Sequence, residues 1–153
     1  MNPAFLTVRQ ATPEDFDRIR AFYAPLVRKQ INPDERCVIA EHDRAVVGAV
    51  RLCREEGHVV LRTMQIHEAY QRRGLGARML RALEPLIEAE PCYCLPYEHL
   101  PGFYRTIGFQ IIDLEAAPPH LQARYTLGSA QGLRMLLMMR PAGPRAEERH
   151  TPR

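Results

Sequence analysis

The sequence predicts an α/β (α+β) protein built around a mixed, mostly antiparallel sheet. Three strand-like runs, 37–41, 45–53 and 58–66, follow one another with only short polar connections, as antiparallel neighbours do. A strand and a helix are predicted before them, and helix-like and strand-like segments follow. At 153 residues with a hydrophobic fraction of 46%, the chain is long enough to bury the core of one such domain.

The first strand and the first helix are marked by local signals. Residues 6–10 form a short strand-like run. Thr12 then offers a hydroxyl cap, Pro13 suits the first helical position, and the two acids that follow favour a helix N-terminus. Apolar residues recur at three- and four-residue intervals from Phe16 to Val27, which predicts a helix that buries one face.

The second half of the chain is predicted to contain five further elements. In order they are a helix over 77–90, a strand over 92–95, a short helix over 102–107, a strand over 109–114 and a strand over 133–139. Pro85 is expected to kink or end the first of these helices. Residues 116–128 are an excursion to which no element is assigned. The domain is expected to cover 1–140, and the proline- and charge-rich residues 141–153 to be a disordered tail.

Composition argues against several classes of function. The net charge is +3, and the 21 basic residues are scattered, with Lys29 the one lysine, so no concentrated basic face for nucleic acid is expected. No run approaches the roughly 18 apolar residues of a membrane span, and a signal peptide's basic and apolar regions are missing, so we expect a cytoplasmic protein without a membrane partner. Four cysteines lack metal-site spacing and are expected to be buried, reduced thiols: Cys37, Cys53, Cys92 and Cys94.

The stretch with a chemical signature is Gln71–Gly76, called here the glycine loop, which joins a strand-like run to a helix-like run. Gly74 can adopt a positive φ, and Gly76 lets another group approach the backbone. The unpaired N–H groups at the start of the helix favour an anion such as phosphate, and Arg72 and Arg73 add positive charge. An ordinary strand-to-helix turn with surface arginines is the other interpretation.

Two better-known phosphate motifs do not fit this stretch. A P-loop requires Gly-Lys-Ser/Thr after a four-residue gap, and no such run occurs. A dinucleotide fingerprint requires a third glycine or alanine at the position that Met79 occupies.

The glycine loop instead matches Gln/Arg-x-x-Gly-x-Gly/Ala, and the chain resembles the GNAT superfamily of acyl-CoA N-acyltransferases, whose pyrophosphate loop has that pattern. A second segment, Phe103–Phe109, resembles the family's Phe-Tyr-x-x-x-Gly-Phe segment, and the order of the predicted elements also fits. The resemblance implies a central sheet of about seven strands, about four flanking helices and a cleft after the fourth strand. Two positions depart from it, because Glu68 stands where a proline is frequent and Tyr97 where an asparagine is frequent.

The resemblance implies acetyl-CoA as co-substrate, with its pyrophosphate on the loop amides, its pantetheine along the fourth strand, and no metal. The positions that would contact it are Ile66, His67, Glu68, Gln71, Arg72, Arg73, Gly74, Leu75, Gly76, Ala77 and Tyr104. Tyr104 matches the tyrosine that protonates the departing thiolate, and its ordinary pKa of about 10 suits that transfer. Tyr93 and Tyr97 are the alternatives for this acid.

The general base stays open between several residues. Glu68 lies at the mouth of the glycine loop, where its carboxylate could accept a proton through water. Other candidates are Glu41, His42, His67, Glu98 and His99. An amine that arrives neutral would need no dedicated base.

The function expected from the resemblance is transfer of an acetyl group from acetyl-CoA to a primary amine of a small molecule or peptide. A catalytically silent, CoA-binding regulatory module is the alternative, and a protein that binds the phosphates of another nucleotide is a more distant one. No nucleic-acid partner is expected, and a homodimer is left open as an assembly.

Overall fold

A computed structural model describes residues 6–25, 31–32, 34–98 and 101–144. The strands are β1 (Leu6–Gln10), β2 (Arg36–His42), β3 (Ala45–Glu55), β4 (His58–Ile66), β5 (Cys92–Cys94), β6 (Gln110–Ile111) and β7 (Met138–Arg140). The α-helices are α1 (Phe16–Tyr23), α2 (Leu75–Leu83), α3 (Pro101–Arg105) and α4 (Pro119–Ala130). Short 3-10 turns cover Pro13–Asp15, Glu68–Tyr70, Glu84–Ile87 and Leu114–Ala116.

The strands form a seven-stranded sheet in the order β1-β2-β3-β4-β5-β7-β6. Antiparallel registers join β1 to β2, β2 to β3, β5 to β7 and β6 to β7. The pairing of β4 with β5 is parallel. The predicted mixed, mostly antiparallel α/β architecture is therefore confirmed. No helix in the described ranges is long and apolar enough to cross a membrane.

Two compact units are distinguished within the described residues. The first is drawn from Met1–Cys53 and Arg62–Leu83. Its core includes a cluster in which one face of α1, formed by Phe16, Ile19 and Tyr23, packs with strand residues such as Ile39. The predicted apolar face of this helix therefore has its partner.

The second unit is drawn from Arg54–Leu61 and Glu84–Arg153. Its core includes a cluster of Val60, Ala117, Leu121 and Leu137, which joins β4 to α4 and to the segment before β7. Four cysteines are free and buried, as predicted: Cys37, Cys53, Cys92 and Cys94.

Some elements differ in extent from their sequence prediction. The first helix starts as a 3-10 turn at Pro13 and is α-helical from Phe16, while Val27 lies outside the described residues. Pro85 acts as expected, because α2 ends at Leu83 and a 3-10 turn follows. The last two predicted strands, 109–114 and 133–139, are reduced to the short strands β6 and β7.

Helix α4 was not predicted, and its sequence explains why. Leu121 and Gly128 are its buried residues, whereas Leu127 is 62% exposed. A helix that buries so little lacks the apolar stripe on which sequence prediction depends. Pro119 at the first helical position was the available signal.

Candidate functional site

The glycine loop is anchored at its entry by backbone and side-chain hydrogen bonds. After β4 ends at Ile66, the N–H of His67 donates to the carbonyl oxygen of Val47 over 2.8 Å. Gln71 Nε2 then donates to the Ile66 carbonyl oxygen over 2.9 Å, across the intervening 3-10 turn. The Gln71 side chain therefore joins the two ends of the 3-10 turn just where the loop begins. Helix α2 then starts at Leu75.

Two loop residues have left-handed backbone conformations. Gly74 has a φ of +76°, as predicted, and Arg72 has a φ of +63°. A Cβ placed on Gly74 would meet no atom within 4 Å. The backbone conformation, rather than a lack of space, is therefore what favours glycine at this position.

The start of α2 presents unpaired N–H groups beside this loop. The first i to i+4 hydrogen bond runs from the Arg78 N–H to the Gly74 carbonyl oxygen over 3.2 Å. The amides of Leu75, Gly76 and Ala77 precede it, and the part of the chain that the structure describes gives them no backbone acceptor. Residues 71–74 are exposed, so the loop and these amides form a surface suited to an anion.

The 3-10 turn before the loop is fixed by two histidines. Tyr70 shares a hydrogen bond of 2.7 Å between its hydroxyl and Nδ1 of His42, at the end of β2. His67 accepts the N–H of Ala69 at its own Nδ1 over 3.1 Å, and its ring lies edge-on to Tyr70. Both histidines therefore hold the turn in place, a role that their sequence positions did not reveal.

The remaining base candidates have different surroundings. Glu68 is exposed on the turn, and none of the described residues forms an ion pair with its carboxylate. Glu98 pairs with Arg134 over 3.3 Å, with both side chains well exposed. His99 lies outside the described residues.

Glu41 belongs to a cluster of charges on β1, β2 and the start of α1. Its carboxylate accepts hydrogen bonds from Arg9 over 2.8 Å and from Arg18 over 2.7 Å. The same two arginines bind Asp15. Burial opposes ionisation of Glu41, but the arginines outweigh it and lower its pKa. A carboxylate held in this way is a poor proton acceptor, so Glu41 has a structural explanation.

Tyr104 lies on α3 and is buried, with 6% of its surface exposed. Its ring makes edge contacts with Phe103 at 5.1 Å and Phe109 at 6.1 Å between centroids. Burial, with a smaller contribution from the Cys94 thiol, raises the pKa of Tyr104 well above its usual value. Its hydroxyl therefore keeps its proton across the neutral range, as a proton donor must.

The glycine loop belongs to the first unit and Tyr104 to the second. The loop's anchors within the first unit are His42 and Val47, and neither was singled out as a loop contact by the motif. Such contacts arise from strands far apart in sequence, so a six-residue pattern contains no signal for them.

One family model matches the sequence of this chain. Residues 33–111, just over half of the chain, match the profile of the acetyltransferase (GNAT) domain. No curated protein matches the chain in sequence.

Solved structures with the same fold include proteins complexed with coenzyme A or with an analogue that contains it. N-acetylglutamate synthase from Neisseria gonorrhoeae, complexed with coenzyme A and N-acetyl-glutamate, is 20% identical over 92% of this chain with a TM-score of 0.66. The match spans 36% of that protein's length. Naa50 from Arabidopsis thaliana, in complex with the bisubstrate analogue CoA-Ac-MVNAL, is 15% identical over 89% of this chain and 98% of its own, with a TM-score of 0.58. Rv2747 from Mycobacterium tuberculosis, in complex with CoA and NLQ, is 18% identical over 88% of this chain and 98% of its own, with a TM-score of 0.60.

Proposed function

The chain belongs to the GNAT acetyltransferase family, and we propose that it transfers an acetyl group from acetyl-CoA to the primary amine of a small molecule or peptide. The observation that carries the proposal is the glycine loop followed by the amides of Leu75, Gly76 and Ala77, for which the described residues offer no backbone acceptor. These groups suit the pyrophosphate of coenzyme A, because amide N–H groups and a helix N-terminus favour phosphate oxygens.

Acetyl-CoA would contact the chain through the loop and the end of β4. The loop amides would bind the pyrophosphate, with Gln71, Arg72 and Arg73 around it. The pantetheine would run along Ile66, His67 and Glu68, because these positions correspond to the end of the fourth strand, where the family binds it.

The reaction needs one proton to be supplied and one to be removed. The amine nitrogen attacks the thioester carbonyl carbon, and the tetrahedral intermediate collapses by breaking the C–S bond. Tyr104 then donates its phenolic proton to the thiolate sulfur, and the resulting phenolate regains a proton from solvent. Burial raises the pKa of Tyr104, so the phenol is protonated at neutral pH but gives its proton to a thiolate less readily than an ordinary tyrosine does.

The amine must lose a proton during the same turnover. We propose that Glu68 accepts it through a water molecule, because its carboxylate is exposed at the entry of the loop. Acting through water, it would serve amines that are already partly neutral.

The acceptor is proposed by class alone. Proteins of the same fold were solved with N-acetyl-glutamate and with the analogue CoA-Ac-MVNAL, so amino acids and peptide N-termini are the first amines to test. A cytoplasmic location fits substrates of this kind.

A screen of amines with acetyl-CoA tests the proposal, with free thiol as the readout. Calorimetry with coenzyme A measures donor binding separately. Binding with turnover of at least one amine is the expected result. Binding without turnover of any amine would favour the CoA-binding regulatory module instead, and absence of binding would contradict both functions.

A further inference from the structure

One residue inside a strand has a backbone conformation that its side chain disfavours. Thr63, in β4, has a φ of +55°. Four other described non-glycine residues have positive φ, and each lies in a turn or loop: Asp43, Arg44, Glu56 and Arg72. For a β-branched residue this left-handed conformation is a genuine outlier. Such strain persists only where the surroundings impose it, and it clusters at functional sites.

Two buried side chains donate hydrogen bonds to Thr63. The hydroxyl of Tyr23, on α1, donates to the Thr63 carbonyl oxygen over 2.6 Å. Nη1 of Arg51, on β3, donates to the Thr63 hydroxyl oxygen over 3.3 Å. Tyr23 is 1% exposed and Arg51 is 6% exposed. Burial raises the pKa of Tyr23, so its hydroxyl keeps its proton and remains a donor.

Arg51 is itself held by a carboxylate. Its Nε and Nη2 donate to the two carboxylate oxygens of Glu35 over 2.8 and 2.7 Å. The Arg51 and Glu35 side chains are 7% and 9% exposed. A buried ion pair contributes little net stability compared with an apolar pair of the same size, although removing one partner is costly. Burying charges beside one strained threonine is therefore better explained by positioning than by stability alone.

The strained residue lies between two functional parts of β4. The parallel pairs of β4 with β5 are formed by Val59 and Val60, before Thr63 in the chain. Ile66, which receives the Gln71 amide, follows three residues later, about 10 Å further along a strand. The conformation at Thr63 therefore sets the course of residues 64–66, which lead directly into the glycine loop.

We propose that Tyr23 and Arg51 are positioning residues for acetyl-CoA, which hold Thr63 left-handed so that the end of β4 follows the path that the pantetheine requires. The inference rests on the proposed function, because it requires acetyl-CoA to bind along this strand. Neither residue needs to touch the reacting atoms. Their effect is to keep the binding-competent form of β4 populated before the donor arrives.

The proposal has a quantitative consequence. If Thr63 relaxes when a contact is lost, the donor must restore the strained form when it binds. The apparent dissociation constant then rises in inverse proportion to the remaining competent fraction. Glycine adopts positive φ without strain, so glycine at position 63 should remove the need for Tyr23.

The test compares three variants with the parent protein: Tyr23→Phe, the double variant Tyr23→Phe/Thr63→Gly, and Tyr125→Phe as control. Tyr125 is a partly buried tyrosine of α4 that packs against the cluster containing Val60 of β4, and phenylalanine keeps that ring packing while it removes one hydroxyl. Calorimetry with coenzyme A gives the dissociation constant, and thermal unfolding gives Tm. Measurements are made well below the lowest Tm, so that every variant is folded.

We expect Tyr23→Phe to weaken coenzyme A binding about tenfold, or about 1.4 kcal/mol. The double variant should return to within about threefold of the parent, or about 0.7 kcal/mol, and Tyr125→Phe should bind like the parent. If Tyr23→Phe lowers Tm with unchanged binding, Tyr23 is merely structural and the inference is wrong while the proposed function stands. Failure of the double variant to recover would also overturn it. If the folded parent does not bind coenzyme A, the proposed function fails first and the inference falls with it.

Discussion

Arg140 donates a hydrogen bond from its Nε to the carbonyl oxygen of Ile107 over 2.7 Å, and both residues are fully buried. The other donors of the guanidinium are also used: Nη2 reaches Glu84 over 3.1 Å, and Nη1 reaches the carbonyl oxygens of Pro141 and Gly143. The N–H of Ile107 in turn donates to the Tyr104 carbonyl oxygen over 3.3 Å. The arginine thus fixes the turn that follows α3, within the unit that contains Tyr104.

Arg140→Lys is expected to destabilise the protein by about 2–4 kcal/mol. A lysine ammonium has three donors on a flexible stem, so it cannot serve Ile107, Glu84 and the carbonyls beyond β7 at once. Urea denaturation measures the change. Arg105→Lys, on the exposed surface of α3, is the control and should be close to neutral. Equal stability of the two variants would show that the hydrogen bonds of the buried Arg140 guanidinium do not contribute to stability.

The contacts of Arg140 also predict where the chain can be shortened. Deletion after residue 144 should leave Tm nearly unchanged, because it keeps the carbonyl acceptors of Pro141 and Gly143. Deletion after Arg140 removes those acceptors and also the hydrogen bond from the Gly143 N–H to the Glu88 carbonyl oxygen. It should cost about 1–3 kcal/mol, since a buried donor is left unsatisfied. Thermal unfolding compares the two truncations, and identical Tm values would contradict this boundary.

The architecture was predictable where local signals and tertiary packing agree. Strand β4 has its predicted bounds because a polar turn precedes it and the glycine loop follows it closely. Gly74 was predicted to be left-handed, since the strand-to-helix turn requires a residue that tolerates positive φ.

The parts that escaped prediction depend on contacts between distant residues. The residues around Thr63 in the sequence do not indicate a left-handed backbone, and the buried groups that donate hydrogen bonds to it, Tyr23 and Arg51, lie on other elements. The roles of Arg140 and of the His42–Tyr70 pair were invisible for the same reason. A sequence pattern reports periodicity and turn chemistry, whereas these roles require the three-dimensional arrangement.

The charge cluster at the start of α1 predicts a dependence of stability on pH. A hydrogen bond from Arg9 holds the pKa of Asp15 well below its usual range, despite opposing burial. A depressed native pKa stabilises the fold above the unfolded pKa of about 3.9, and that stabilisation is lost as pH falls toward the native pKa. Asp15→Asn should therefore cost about 1–2 kcal/mol at pH 7, a figure kept low because the arginines are partly exposed.

The measurement is urea denaturation of Asp15→Asn and the parent between pH 7 and pH 2. The difference in free energy of unfolding should be constant at neutral pH and shrink below about pH 4. Asp17→Asn is the matched control, because its ion pair with Arg20 involves a carboxylate that is 95% exposed. A difference that does not change with pH would show that the ionised form of Asp15 contributes nothing.

The two loop glycines should respond differently to substitution. Gly76→Val places a β-branched side chain in the first turn of α2, beside the unpaired amides, and should weaken coenzyme A binding about tenfold or more. Gly74→Ala has space for its Cβ but strains a φ of +76°. It should lower stability by about 1 kcal/mol. Calorimetry measures the change in affinity and thermal unfolding the change in stability. If Gly76→Val binds coenzyme A with unchanged affinity, the assignment of the pyrophosphate to this loop is wrong.

Tyr104→Phe separates an enzyme from a binding module. The phenylalanine ring can keep the edge contacts with Phe103 and Phe109, while the proton donor is lost. Loss of a general acid typically lowers the rate by about 10²–10⁴-fold. The KM for acetyl-CoA should change little, because the glycine loop contributes most of the donor binding. A fall in kcat at nearly constant KM is the signature of an interaction made mainly in the transition state.

The pH dependence of the parent enzyme provides an independent check on the same residue. The acid form of Tyr104 is present below its pKa, and burial raises that pKa above the ordinary value of about 10. No loss of rate from Tyr104 ionisation is therefore expected between pH 7 and about pH 10.

The control for Tyr104→Phe is Tyr93→Phe, since it removes a tyrosine hydroxyl from β5 and should leave kcat within about twofold. Parent-like turnover by Tyr104→Phe would place the acid elsewhere, and a fall in Tyr93→Phe alone would identify Tyr93 as that acid.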